Sequence, residues 1–145
     1  MDRFRFLAPL VILAGLLLLV SFDSSSAQVK KGASRPMLTT HLMKGLVKPH
    51  CGSLKKGLDS GPSTAEEWEE LAVHAALLNE SSFILMADKR CPDRVWAEAA
   101  TKALRKGSAD CLKAIEAKDL EAAKSAFGAM TKSCGACHKA HKKKG

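Results

Sequence analysis

The stretch LEAAKSAFGAMTKSCGACH, residues 120–138, shows most clearly how this chain folds. Its apolar side chains recur at steps of three and four residues, the spacing of one face of an α-helix. They are Leu120, Ala123, Phe127, Met130 and Cys134. Asp119, directly before the stretch, is a typical N-cap residue. The pattern predicts an amphipathic helix whose last turns carry a Cys-Gly-Ala-Cys-His sequence.

A first helical segment is predicted over residues 37–58. The turn that follows it contains Gly61, and glycine is a common stop signal for helices. Pro49 lies inside this segment. Because an internal proline removes one backbone hydrogen bond and restricts the residue before it, we expect a kink or a break near residues 45–49.

Two more helical segments complete the set. Residues 62–87 begin with a predicted capping box formed by Ser63 and Glu66. Residues 94–117 follow a break in the chain and contain an expected weak point at Gly107-Ser108. Four amphipathic helices joined by short turns can bury their apolar faces only against one another. The predicted fold is all-α, an antiparallel four-helix bundle.

The N-terminus has the pattern of a secretory signal. Arg3 and Arg5 precede an apolar run from Phe6 to Phe22, and small residues lead up to Ala27. We predict that residues 1–27 are a signal peptide and that the protein is exported to the periplasm. The alternative is that the apolar run of 17 residues stays as a membrane anchor, since it is at the lower limit of a membrane-spanning length.

The remaining chain divides into a leader and one domain. Residues 28–36 are mostly polar and are predicted to be a flexible leader, and residues 37–145 form the helical domain. The formal net charge is +8, and part of the excess lies in the tail from Lys139 to Lys144, which favours partners with an acidic surface. Nucleic acid is not expected, because the few aromatic residues are not interleaved with basic ones. After the signal they are Trp68, Phe83, Trp96 and Phe127.

The sequence Cys134-Gly135-Ala136-Cys137-His138 fits the pattern for covalent haem attachment. Two thiols add to the haem vinyl groups and the adjacent imidazole binds the iron. On a helix, residues three and four apart share a face, so all three side chains can point at one haem. A redox dithiol would be expected in a βαβ context, and a zinc site would need a tetrahedral set from these residues and His141. Haem c is therefore the predicted cofactor.

A Cys-x-x-Cys-His sequence on the last of four helices resembles the class II c-type cytochromes, the cytochrome c′ group. Lys142 matches the basic residue found four positions after the histidine, whereas His141 stands where an aromatic residue often precedes it. The resemblance implies a periplasmic one-electron carrier that is not an enzyme. It also implies an alternative, a five-coordinate haem protein that binds small gases such as NO or CO. Relatives of this kind often pair with a copy of themselves, so a homodimer is one candidate assembly.

The two functions differ in the second axial position of the iron. A side chain that fills this position suits electron transfer, whereas a vacant position admits small gases. If antiparallel helices place His138 level with about residue 40, Met43 lies within about 5 Å along the axis and His50 about 15 Å away. Met43-Lys44 also resembles the Met-Lys pair of low-spin class II cytochromes. Met43 is therefore the candidate sixth ligand, with packing as the alternative. His41 is expected at the surface.

The other histidines and cysteines have weaker assignments. His50 and His74 are expected to pack or to form hydrogen bonds, and His141 is expected either in the solvated tail or near a haem propionate. An odd number of cysteines remains outside the motif, so at most one disulfide could form among them. They are Cys51, Cys91 and Cys111. Buried free thiols are expected for these three, with Cys91 near the haem end and the other two deeper.

Overall fold

The computed structural model describes residues 31–142 and contains four long helices in that range. Helix α1 covers residues 39–60, and helix α2 is Ala65–Met86. Helix α3 covers residues 94–116, and helix α4 is Leu120–His141. The four pack side by side around one apolar core, and the described residues contain no strand beyond an isolated bridge between Lys31 and Leu38. The all-α four-helix bundle predicted from the sequence is confirmed.

Helix α1 contains a π-helical turn instead of a break. The segments are α-helical Thr39–Leu42, π-helical Met43–Val47 and α-helical Lys48–Ser60. The amide of Lys48 donates to the Met43 carbonyl five residues back, and Pro49, the next residue, has no N–H to donate. The wider turn accommodates the proline without ending the helix. The expected irregularity is therefore present near its predicted place, as a change of helical pitch.

The π turn also brings the two ends of α1 into phase. Leu42 and Leu54 are twelve positions apart and are both buried, at 2% and 0% exposure. At about 100° per residue, twelve α-helical steps would leave their side chains about 120° apart. The π turn absorbs about one residue, which reduces the offset to about 20°. Both leucines can therefore face the same core.

Helix α2 begins one residue later than its predicted capping box. The N-cap is Thr64, whose hydroxyl accepts from the Glu67 amide at 3.2 Å, while the Glu67 carboxylate accepts from the Thr64 amide at 3.1 Å. Ser63 donates to the same carboxylate through its amide and its hydroxyl. The predicted pair of Ser63 and Glu66 was therefore wrong by one position. The sequence offers two capping pairs with the same three-residue spacing, Ser63 with Glu66 and Thr64 with Glu67.

Helix α3 begins at an Asp93 N-cap and has its irregularity earlier than expected. Its π-helical segment is Ala99–Arg105, and the Asn79 amide of α2 donates to the Arg105 carbonyl at 2.7 Å. Gly107 lies in regular α-helix beyond that segment and marks a close approach to α4. A Cβ built at Gly107 would lie 2.7 Å from the Met130 Cβ. The predicted weak point is instead a tight helix crossing.

Four helix ends meet at one end of the bundle, because neighbouring helices run in opposite directions. They are the start of α1, the end of α2, the start of α3 and the end of α4. The last of these carries the Cys-x-x-Cys-His sequence. Helix α4 starts at the predicted N-cap, where the Asp119 carboxylate accepts from the Ala122 amide at 3.0 Å.

Residues 31–36, part of the predicted leader, have defined partners at this same end. The Asp88 carboxylate accepts from the amides of Ser34 and Arg35, both at 2.9 Å, and from the Ser34 hydroxyl at 2.8 Å. Arg90, which is 1% exposed, donates to the Met37 carbonyl at 2.7 Å. The loop between α2 and α3 therefore holds the segment before α1 against the bundle.

The predicted signal peptide, residues 1–27, lies outside the described residues. Within residues 31–142 no helix has the length and apolar character needed to cross a membrane.

Candidate functional site

The three residues of the predicted attachment motif lie within the last two turns of α4. Cys134 and Cys137 are half-buried, and His138 is exposed. The Cys134 thiol lies 3.4 Å from the Met130 carbonyl one turn earlier, and Cys137 packs against the apolar core. The helix therefore presents two thiols at the edge of the core, with an accessible imidazole beside them.

The environment keeps both thiols neutral. Burial raises the pKa of Cys137 to about 11, with smaller contributions from Cys134, Asp93 and Cys91. Burial also raises the pKa of Cys134, and the neighbouring Cys51 thiol adds to this shift. Thiolates are the form that binds metal ions and attacks disulfides. Thiols that stay protonated are poor nucleophiles, which argues against the redox-dithiol alternative.

A zinc site is disfavoured by the geometry. No group of three or more histidine, cysteine or acidic side chains in residues 31–142 is arranged to hold a metal ion. All five cysteines of the chain lie in that range and are free thiols. Of the three outside the motif, Cys111 is fully buried, as expected, and Cys91 lies near Cys137 at the motif end, also as expected.

Cys51 of α1 lies in the neighbourhood of the attachment motif on α4. Its thiol contributes to the raised pKa of Cys134, after the larger effect of burial. The middle of α1 therefore faces the part of α4 that carries the motif.

Met43 remains well placed toward the motif end of α1. It is half-buried, packs against the core and begins the π-helical turn Met43–Val47. Single π turns inside α-helices occur frequently at functional sites. His50 is turned toward α2, where its Nδ1 lies 2.9 Å from the Nδ1 of His74. This contact is a hydrogen bond, one of the two roles expected for these histidines. His41 is exposed, also as expected.

His141 is not in the solvated tail, and this part of its prediction was wrong. Its side chain is 11% exposed and its Nε2 lies 3.3 Å from the Asp93 carboxylate. Its ring meets the indole of Trp96 edge to face. An aromatic residue at this position would pack on Trp96 in the same way. His141 therefore serves as a substitute for the aromatic residue that the motif often has here.

The donor set fits a haem group. Two neutral, half-buried thiols can each add to a vinyl group, and an exposed imidazole one residue further can bind iron. Several partly buried side chains in the first part of α1 and at the end of α2 are apolar, which suits a porphyrin face; they include Met43, Leu46, Val47 and Met86. Fold and donor set together define a haem-binding cytochrome built on a four-helix bundle.

A family model described as cytochrome c′ matches residues 62–142, more than half of the chain. The chain therefore belongs to the cytochrome c′ family, the class II c-type cytochromes. The match covers α2, α3 and α4 and begins after α1, so the proposed ligand Met43 lies outside it. No curated protein and no solved structure gave a significant match.

Proposed function

We propose that this cytochrome is an exported, periplasmic one-electron carrier whose haem is attached covalently to Cys134 and Cys137. The observation that carries the proposal is the placement of two neutral thiols and the His138 imidazole on successive turns at the end of α4. Each thiol would form one sulfur–carbon bond to a vinyl group, and its hydrogen would pass to the other vinyl carbon. The bound haem would supply an iron that gains and loses one electron.

The side chains of the bundle would set the conditions for that electron transfer. His138 would hold the iron from α4, and Met43 would supply a second side-chain ligand from α1. A thioether ligand raises the reduction potential of a haem iron. The apolar residues at this end of the bundle would exclude water from the haem face. No substrate bond is made or broken in this scheme, so none of these residues has a catalytic role.

Exposed lysines around the motif would guide a partner protein. Lys139 is exposed on the last turn of α4, next to His138, and Lys142 is exposed directly after the helix ends. Positive charge at the edge of a redox site attracts a partner with an acidic surface and raises the rate of encounter. The rate of electron exchange with such a partner should fall as salt is added, because surface charges are screened beyond about 10 Å at 0.1 M ionic strength.

A visible absorption spectrum of the exported protein, oxidised and then reduced with dithionite, tests the proposal. Sharp low-spin bands on reduction are expected for a six-coordinate iron, and Met43→Ala should convert them to a high-spin spectrum. Met37→Ala is the matched control, because Met37 lies just before α1 and is 47% exposed. A low-spin spectrum that Met43→Ala leaves unchanged would exclude Met43 as the ligand.

A different spectrum would favour the alternative function. A broad high-spin spectrum in the unmodified protein that shifts with carbon monoxide would favour the gas-binding alternative.

Covalent attachment is tested separately by denaturing the protein and following the colour. Haem should stay with the chain, should be lost in the double variant Cys134→Ala and Cys137→Ala, and should be retained in the control Cys51→Ser.

A further inference from the structure

Arg90 places a positive charge inside the bundle, at the end that carries the attachment motif. Its side chain is 1% exposed, and no other charged side chain in residues 31–142 is fully buried. The loop that contains Arg90 also contacts α4, because the Asp93 carboxylate lies 3.3 Å from Nε2 of His141, one turn beyond the motif. The proposed electron transfer leaves this buried charge without a role.

The protein satisfies only part of this guanidinium. Its Nη1 donates to the Met37 carbonyl at 2.7 Å, whereas its buried Nε has no hydrogen-bond partner among the described residues. None of the ion pairs formed within residues 31–142 includes Arg90. Asp88 is near enough to feel its charge, but the Asp88 oxygens accept from Ser34 and Arg35. A buried cation is costly unless an anion pairs with it, so Arg90 has the properties of an anion-binding residue.

The backbone before Arg90 is held in an uncommon conformation. Asp88 and Lys89 both have a φ of 58°, in the left-handed region that residues with a side chain seldom adopt. Residues of this kind persist where the surrounding structure holds them, and they are concentrated at functional sites. Lys89 stays exposed while Arg90, the next residue, is buried. The loop therefore uses a strained backbone to place one cation in the interior.

A haem attached to α4 brings two anions to this end of the bundle. Its two propionate carboxylates are on the ring edge opposite the vinyl groups that Cys134 and Cys137 would bind. Lys89 and Arg94, which are also at this end, are exposed and therefore solvated. A guanidinium binds a carboxylate through two parallel charge-assisted hydrogen bonds, which a lysine cannot do. A propionate is therefore the anion that fits the buried arginine.

We infer that Arg90 is a haem-binding residue that pairs with one propionate carboxylate through Nε and Nη2, the edge that does not contact Met37. The inference rests on the covalent haem of the proposed function. The pair satisfies the buried donor and neutralises the guanidinium inside the bundle. It also connects the loop between α2 and α3 to the haem. Positive charge held beside the haem favours the ferrous state, so Arg90 raises the reduction potential.

Two measurements on the haem-loaded protein test the pair without reference to electron-transfer activity. Resonance Raman spectra show the propionate bending band, whose frequency falls when a propionate loses a charged hydrogen-bond donor. Arg90→Met should lower this frequency. It should also lower the reduction potential by about 30–60 mV, a three- to tenfold change in the equilibrium constant of a one-electron couple. Arg90→Lys keeps the charge without the bidentate geometry, so it should retain most of the potential and still shift the band.

Two controls separate the pair from indirect effects. Arg94→Met removes a cation whose side chain is 88% exposed, so it should leave the band in place and change the equilibrium constant by less than about 1.5-fold. Asp88→Asn removes the contacts that hold residues 31–36 but keeps Arg90, so it should neither shift the band nor lower the potential. Circular dichroism verifies that each variant is folded.

A propionate band that stays in place in folded Arg90→Met would overturn the inference. If that variant does not fold, an unmoved band in Arg90→Lys would overturn it in the same way. An equal shift in Asp88→Asn would also overturn it, because the effect would then come through residues 31–36. A chain that holds no haem after denaturation overturns the proposed function as well, whereas attached haem with an unmoved band overturns this inference alone.

Discussion

The imidazole of His141 meets the indole of Trp96 edge to face, with their ring centroids 5.6 Å apart and their planes inclined by 78°. Trp96 is 1% exposed, and its Nε1 donates to the Leu85 carbonyl at 2.9 Å. One tryptophan therefore contacts the ends of two helices, α2 and α4, while it belongs to a third. This contact fixes the end of α4 that carries the attachment motif.

Replacing His141 should show how much this contact contributes. An edge-to-face aromatic pair is worth about 0.5–1.5 kcal/mol beyond its buried area. We expect His141→Ala to lower the free energy of unfolding by about 1–2 kcal/mol, and His141→Phe to restore most of it. Urea denaturation measures both. His41→Ala at the surface should change the value by less than about 0.5 kcal/mol, and an equal loss in both alanine variants would contradict the role of the Trp96 contact.

Asp88 should control whether residues 31–36 stay on the bundle, and it should do so in a pH-dependent way. Hydrogen bonds from Ser34 and Arg35 and the charge of Arg90 hold the pKa of Asp88 below its usual 3.8. The stabilisation is therefore complete above about pH 4 and is lost as the pH falls through the lower folded-state value. Hydrogen exchange at the Ser34 and Arg35 amides should be slow at neutral pH and fast in Asp88→Asn.

Asparagine is chosen for this test because Asp88 has a positive φ of 58°, which asparagine tolerates better than alanine. Ser34→Ala is the milder comparison, since it removes the hydroxyl contact and keeps the two amide contacts. Equal exchange rates in the parent protein and in Asp88→Asn would show that the carboxylate does not hold this segment.

Gly107→Ala tests the close approach of α3 and α4. The added methyl group would lie 2.7 Å from the Met130 Cβ and 3.1 Å from its Cα, so the helices must move apart. Overpacking of this kind costs about 1–3 kcal/mol, against a gain of about 1 kcal/mol in helix propensity. We expect a net loss of stability in thermal unfolding. Gly128→Ala is the matched control: nothing lies within 4 Å of its added Cβ, and the variant should be more stable.

Thr64→Ala and Ser63→Ala distinguish the two possible registers of the α2 cap. Removing the N-cap hydroxyl should cost about 1 kcal/mol, because the Glu67 amide loses its acceptor. Ser63→Ala should cost less, since the Ser63 amide still donates to Glu67. Chemical denaturation of the two variants side by side measures the difference, and a larger loss in Ser63→Ala would favour the register with Glu66.

Local patterns predicted the helices well because caps and apolar spacing act over a few residues. Asp119 begins α4 as expected, and the attachment motif lies within that helix. The capping box of α2 was one position off, because two adjacent hydroxyl residues face two adjacent glutamates. Nothing within the short range of a capping pattern decides between them.

Contacts between helices were harder to predict. The exposure of His141 depends on Trp96 from another helix, and its place near the charged end of the chain gave no sign of burial. The pairing of His50 with His74 and the approach of Cys51 to Cys134 depend on how far each helix slides along its neighbour. That offset depends on how the side chains of neighbouring helices pack, and on the π turn of α1. The spacing of apolar residues along one helix does not predict it.

The π turn Met43–Val47 has a consequence for how this helix can change in length. A π turn is in effect a single-residue insertion that the helix has absorbed, so losing one residue there returns the backbone to regular α-helix and leaves Leu42 and Leu54 on their shared face. A deletion elsewhere in α1 would rotate one part of the helix by about 100° against the other. Homologues one residue shorter in this helix should therefore have their gap between positions 43 and 47.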